Sequence, residues 1–260
     1  MQRRIAIANR KGGCGKTVSA VNISAGLCLK GKKVLLIDCD AQAHATISLG
    51  FSPYEIEKSL YDLFIGTYND INEIIYEAAW PQGLFIAPAT GQLAAFELES
   101  SSDLKARGLL AQHILSQEAS KFDYIIFDPP PTVGLLMLMC LAAAKEVIIP
   151  VQTHFLNIEG LAEMVRFIYQ INATINPDLR ITGIIPTLYS QNTKLSKNVL
   201  DEIIKNFSEE MVFPPVRQNV AIAEAPAFGM SIFEYSPNSI GALDYNAVVD
   251  RIDNFGGILP

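Results

Sequence analysis

An eight-residue run, Arg10-Lys11-Gly12-Gly13-Cys14-Gly15-Lys16-Thr17, lies between an apolar β-type stretch (Ile5-Ala6-Ile7-Ala8) and a helix-like one. A glycine-rich turn from strand to helix points successive backbone N–H groups inward and makes a nest for polyphosphate oxygens. The positive end of the following helix adds to it. In such a turn Lys16 reaches the β- and γ-phosphates, and the Thr17 hydroxyl holds Mg²⁺. The strict pattern G-x-x-x-x-G-K-[ST] fails at its first position, where Arg10 stands in place of glycine. A second lysine, Lys11, follows it.

This turn needs a strand before it and a helix after it, and the rest of the chain supplies more of both. Apolar runs near 4–9, 33–38, 84–88, 123–128, 146–151 and 180–185 are short and mostly β-branched, with helical patterns between them. Alternation of this kind predicts right-handed crossovers and an α/β fold. The sheet is doubly wound and mostly parallel, with helices on both faces, and the whole of 1–260 is read as one domain. With 50% hydrophobic and only 18% charged residues, a large core is expected. Helix-period segments fall at about 156–174, 195–206 and 240–252. Within the mixed region 51–82, helix-like pieces cover Ser59–Ile65 and Ile71–Ala79. The longest apolar stretch, Leu135 to Ala144, is too short to span a bilayer and reads as a core helix. Met1-Gln2-Arg3-Arg4 runs straight into the first strand, so no signal peptide is expected.

Cys14, Cys28, Cys39 and Cys140 show no C-x-x-C spacing and read as reduced thiols of a cytoplasmic protein. The formal charge of −7 opposes bulk attraction to nucleic acid.

Ligands on sheets of this kind collect beyond the carboxyl ends of the strands. Asp38 and Asp40 end the second run, and Asp128 ends Tyr124-Ile125-Ile126-Phe127. All three are expected to face the phosphate loop. Asp38 has two readings, a catalytic carboxylate or a cap on the next helix. His44, close to Asp40, reads as a solvated side chain rather than a base.

Taken together, these residues resemble the ParA/MinD family of P-loop ATPases. The segment Lys11–Thr17 looks like that family's deviant Walker A motif. Asp38-Cys39-Asp40-Ala41-Gln42-Ala43-His44-Ala45-Thr46 is similar to its D-x-D-P-Q-G-N-x-T segment, and Asp128-Pro129-Pro130-Pro131-Thr132 to its D-x-P-P-S segment. Pro150-Val151-Gln152-Thr153, Asn219-Val220 and Glu224-Ala225-Pro226 look specifically ParA-like.

The resemblance implies an ATP- and Mg²⁺-dependent homodimer in which Lys11 crosses the interface to the partner's phosphates, a cation supplied in trans. Nucleotide contacts would come from Lys11, Gly12, Gly13, Cys14, Gly15, Lys16, Thr17, Val18, Asp38 and Asp128. The metal would lie near Thr17, Asp40 and Asp128. Lys11, Lys16 and Asp40 carry the catalytic roles, Asp40 by orienting the attacking water. A ParB-like or other adaptor protein is the implied activator, and chromosome, plasmid or protein cargo the implied load.

Departures from the family bear on this reading. Val18 replaces a second threonine, which removes a hydroxyl from the α-phosphate. Ala41, Ala43 and His44 replace Pro, Gly and Asn. Where DNA-coating members carry arginines, this chain has Asn192, Gln218 and Ala221. Lys194, Lys197, Lys205 and Arg217 remain, but Asp201, Glu202, Glu209 and Glu210 balance them. Non-specific DNA binding, and with it nucleoid association, is therefore a family expectation to which these residues add little. A MinD-like membrane role is disfavoured by the tail Asp250–Pro260, which carries two glycines and a terminal proline. The metabolic alternatives on the same core are a cobyrinate amidating synthetase, which normally has an extra glutaminase domain, and an iron–sulfur reductase, which needs thiolates at the dimer face.

Overall fold

The computed structural model describes residues 2–103, 105–114, 121–154 and 157–254. Its strands are β1 (Arg3–Ile7), β2 (Val34–Asp38), β3 (Tyr76–Glu77), β4 (Leu84–Ala87), β5 (Tyr124–Asp128), β6 (Glu146–Gln152) and β7 (Arg180–Thr187). They form one seven-stranded sheet in the order β3-β4-β2-β5-β1-β6-β7. Every pairing is parallel except β3 with β4. The helices are α1 (Lys16–Leu29), α2 (His44–Ser48), α3 (Leu60–Phe64), α4 (Leu93–Ser100), α5 (Leu109–Ile114) and α6 (Leu135–Ala143), followed by α7 (Asn157–Thr174), α8 (Lys194–Phe207), α9 (Val220–Glu224), α10 (Ile232–Tyr235) and α11 (Ile240–Asn254).

The central strands are buried on both faces, which is why they read as continuous apolar runs rather than alternating ones. Two apolar layers result. One contains Leu35, Ile37, Phe127, Val147 and α6. The other contains Ile5, Ile7, Leu36, Ile126 and Ile148 under α1 and α11. At Gly26 the two covering helices come so close that an added Cβ would stand 2.6 Å from a Val249 methyl. As expected, Leu135–Ala143 is a core helix, with seven of its residues buried.

One expected element differs. The segment 71–79 is not a helix but a 3₁₀ turn (Ile71–Glu73) followed by β3. Ile71 and Ile74 are both buried, and their spacing of three fits one tight turn as well as it fits a helix. Beyond them Tyr76 and Glu77 pair antiparallel with Ile86 and Phe85. Residue 156 of the expected helix 156–174, and residues 255–260 of the tail, lie outside the described residues. Among the described residues no helix is long and apolar enough to cross a membrane.

Candidate functional site

The phosphate loop leaves β1 at the middle of the sheet and enters α1. Gly13 and Gly15 take positive φ angles of 73° and 88°, conformations that glycine adopts without a Cβ clash. Gly15 is the N-cap of α1 and has no side chain to close the helix end.

Three of the loop's carbonyls are held, two from outside it and one from within. Gln152 Nε2 donates to Gly13 O at 2.6 Å, and Thr187 Oγ1 donates to Cys14 O at 2.9 Å. Lys16 Nζ and Cys14 Sγ both donate to Lys11 O, at 3.1 and 3.2 Å. Among the described residues no acceptor takes the N–H groups of Gly12, Gly13, Cys14 or Gly15. With these carbonyls occupied and N–H donors left over, the loop has the charge pattern an anion requires.

Lys16 is 7% exposed and lies beneath the loop. Lys11 is an exposed residue, yet its ammonium turns in to donate to the buried Asn157 side chain. Arg10, at the position that fails the strict pattern, forms a loose surface ion pair with Glu163 at 3.6 Å.

The three carboxylates are not equivalent. Asp38 and Asp128 are register partners at the ends of β2 and β5, and both are fully buried. Asp38 Oδ2 accepts from Thr46 N and Thr46 Oγ1, each at 2.8 Å, and Oδ1 accepts from Asp40 N at 3.2 Å. Of its two readings, the hydrogen bonds accord with a cap-like one: Asp38 braces the first turn of α2 through Thr46. Burial pushes its carboxyl up to about 6, against the pull of those hydrogen bonds.

Neither oxygen of Asp128 receives a hydrogen bond of ordinary geometry. Burial first, and the Asp38 charge second, push this carboxyl well above the usual range, while the Thr17 hydroxyl and the Lys16 ammonium pull it back. Asp40 is half-exposed on the same rim, with Oδ1 accepting from Gln42 N at 3.0 Å.

An orphaned buried carboxylate beside Thr17 fits a hydrated divalent cation. Among the described residues no group of three or more His, Cys, Asp or Glu could hold a metal alone. That suits Mg²⁺, which keeps several waters and takes its remaining ligands from phosphates.

Beside the loop lies a cavity of about 160 Å³, whose lining includes Gly15, Val18, Thr187, Leu188, Asn219 and Tyr245. Sequence reasoning gave Val18 only a missing hydroxyl, but the side chain helps wall this cavity. Leu188 adopts a φ of 50° at its edge, a left-handed strain held by the surrounding structure. A larger hollow of about 540 Å³ around Trp80, Lys32 and Cys28 contains none of the loop's residues and opens elsewhere.

Several residues of the site carried no readable signal. Asn9 ties the loop's start to Pro150 O at 2.7 Å and accepts from Lys11 N at 3.1 Å. Asn157 and Thr187 likewise reach the loop from far along the chain. Gln152 lay inside a quoted motif, but its hold on Gly13 did not follow from that.

Arg217, counted above as one of the remaining cations, is locked in a bidentate pair with Asp244; its Nε is 2.9 Å and 3.1 Å from the two carboxylate oxygens. Lys194, Lys197 and Lys205 are exposed on α8 together with Asp201 and Glu202. His44 is exposed at the start of α2. All four cysteines are buried free thiols. Burial and the adjacent Cys140 push the Cys39 thiol well up, so it is not a reactive thiolate.

A family model described as an AAA domain matches residues 2–181. The sporulation initiation inhibitor protein Soj of Bacillus subtilis is 36% identical over 94% of this chain and 96% of its own length. The chromosome-partitioning ATPase Soj of Thermus thermophilus is 34% identical over 96% of this chain and 95% of its own. Among solved structures, cobyrinic acid a,c-diamide synthase from Mycobacterium smegmatis with ADP and magnesium superimposes with a TM-score of 0.81. It is 31% identical over 96% of this chain and 93% of that one. That match is nearly end to end, so chain length alone does not separate a protein of that name from a partition ATPase.

Proposed function

The chain belongs to the ParA/MinD family of P-loop ATPases, and on that premise we propose that it is a ParA-like switch which binds MgATP, pairs across two nucleotides and separates after hydrolysis. The observation that carries the reading is the pair of lysines on one loop: Lys16 buried, and Lys11 exposed with its ammonium on the Asn157 side chain.

The polyphosphate lies on the N–H groups of Gly12 to Gly15 and on Lys16, and the cavity beside Val18 and Thr187 takes the nucleobase. Thr17, Asp128 and Asp40 would hold Mg²⁺, which when bound neutralises charge on the β- and γ-phosphates. Asp40, on the rim, orients the attacking water. Asp38 keeps the segment Asp40–Thr46 in place, so that a change at the γ-phosphate is felt by α2. Lys11 of each protomer then completes the partner's charge neutralisation, and loss of the γ-phosphate removes what it binds.

The load is a chromosome, plasmid or protein assembly, and an adaptor protein accelerates hydrolysis. The two Soj relatives support this over a metabolic role by identity, 36% and 34% against 31% for the synthase, since all three match over similar lengths. Light scattering with ATP and Mg²⁺ tests the pairing. Wild type doubles its mass, whereas Lys11→Ala binds nucleotide yet stays a monomer. A Lys11→Ala dimer as stable as wild type would falsify the trans-lysine mechanism.

A further inference from the structure

We propose that Asn157 is a positioning residue: it holds Lys11 within its own protomer and lets it go when a second copy of the chain presents its nucleotide. The inference rests on the reading of Lys11 given above and adds where the lysine sits beforehand.

The contact is built rather than incidental. Asn157 is 2% exposed, so the Lys11 ammonium meets its Oδ1 at a shielded point. The amide cannot turn freely, because Nδ2 donates to Gln152 O at 3.1 Å and to Gln152 Oε1 at 3.3 Å. That fixes Oδ1 toward the lysine. Gln152 in turn donates to Gly13 O at 2.6 Å, so the residue that orients Asn157 also fastens the phosphate loop. The backbone of Lys11 is pinned by Asn9 Oδ1, and the side chain therefore swings from a fixed base.

The choice of side chain matters. A hydrogen bond from an ammonium to a neutral amide in a shielded place is worth roughly tenfold or more in an equilibrium. A triphosphate outbids it easily, since full charges attract more strongly than an amide dipole. A carboxylate at position 157 would form an ion pair and compete with the phosphates. Asparagine gives a hold weak enough to release and strong enough to keep the cation off empty partners.

The test uses the full chain with saturating non-hydrolysable ATP analogue and Mg²⁺. Analytical ultracentrifugation reads the protein concentration at half-pairing. Because pairing releases two lysines, Asn157→Ala lowers that concentration by the square of the single-bond factor, about a hundredfold. Asn157→Asp raises it by a similar factor, and added salt shrinks the increase. Should the alanine variant fail to fold, Asn157→Ser replaces it with the same expected sign. A merely structural role would weaken pairing in every variant. If the alanine and aspartate variants move the same way, or neither moves, while Lys11→Ala abolishes pairing, the holding role is overturned and the trans-lysine reading stands. If Lys11→Ala pairs normally, both are lost.

Discussion

Asp38 and Asp128 stand side by side at the ends of neighbouring strands, both sealed from solvent, yet only Asp38 has its hydrogen bonds satisfied. Two carboxyls in one dry place resist ionising together: burial raises both, and the Asp38 charge raises Asp128 further. The ionised pair is costly without a cation, and the missing partner of Asp128 is what MgATP would bring.

The nucleotide-free protein should therefore lose stability as the medium turns from mildly acidic to neutral. Below the unfolded carboxyl pKa of about 4, folded and unfolded chains both hold the Asp38 proton. Between there and the folded value of about 6, the folded state binds a proton that the unfolded chain has released, so stability falls with rising pH. Asp128, also raised, extends the fall upward. Thermal unfolding scanned from about pH 4 upward through about 6 should show the midpoint dropping. MgATP should flatten the slope, and Asp38→Asn should reduce it. A midpoint that climbs over this window would contradict the assignment.

Position 43 separates strain from packing. Ala43 has a φ of 53° and is buried, at the position where the related motif carries glycine. The left-handed backbone costs an alanine roughly 1–2 kcal/mol. Glycine would relieve that, but it loses a buried methyl worth about 0.8 kcal/mol and carries about 0.5–1 kcal/mol more unfolded-state entropy. Ala43→Gly should thus lie within about 1 kcal/mol of wild type in urea unfolding. Ala43→Val, branched at Cβ in a left-handed site, should destabilise by about 2 kcal/mol or more.

The Arg217–Asp244 pair predicts a stability effect without a nucleic-acid effect. Asp244 is 8% exposed and takes four hydrogen bonds from Arg217 at 2.5–3.1 Å, one of them from the backbone N–H. Arg217→Ala leaves a shielded carboxylate under-paired and should cost about 1–3 kcal/mol. Because Asp244 already neutralises the cation, the salt dependence of any DNA retention should be unchanged. A salt slope shallower by about one would return Arg217 to the phosphate contacts.

Nucleotide titrations separate the remaining roles. Lys16→Ala should lose nucleotide binding altogether. Asp40→Ala should bind normally and accumulate as an ATP-bound dimer, with turnover reduced at least a hundredfold, the scale of losing a water-orienting group. Size exclusion with ATP against ADP checks this; an Asp40→Ala protein that turns over at the wild-type rate removes that carboxylate from the chemistry.

The phosphate loop and the strands were legible because their signals are local: glycines followed by Lys-Thr, and β-branched runs bounded by polar turns. β3 was not, since a strand of two residues is defined by its partner β4 and has no period of its own. Asp38 was half legible. Its place at a strand end was clear, but its commitment to Thr46, eight positions on, depends on how the intervening turn folds back. The residues fastening the loop were invisible for a different reason. Asn157 and Thr187 lie 146 and 173 positions from Lys11 and Cys14 respectively, and no short pattern links such pairs.

The clamps on Gly13 and Cys14 come from β6 and β7, so the socket is shaped by the sheet itself. Its entropy of ordering is met while the chain folds rather than when a ligand docks. A rigid cradle reports poorly on which nucleotide fills it. The news of hydrolysis must travel instead through the short stretch that hangs from Asp38, where an alanine already occupies a conformation it does not favour.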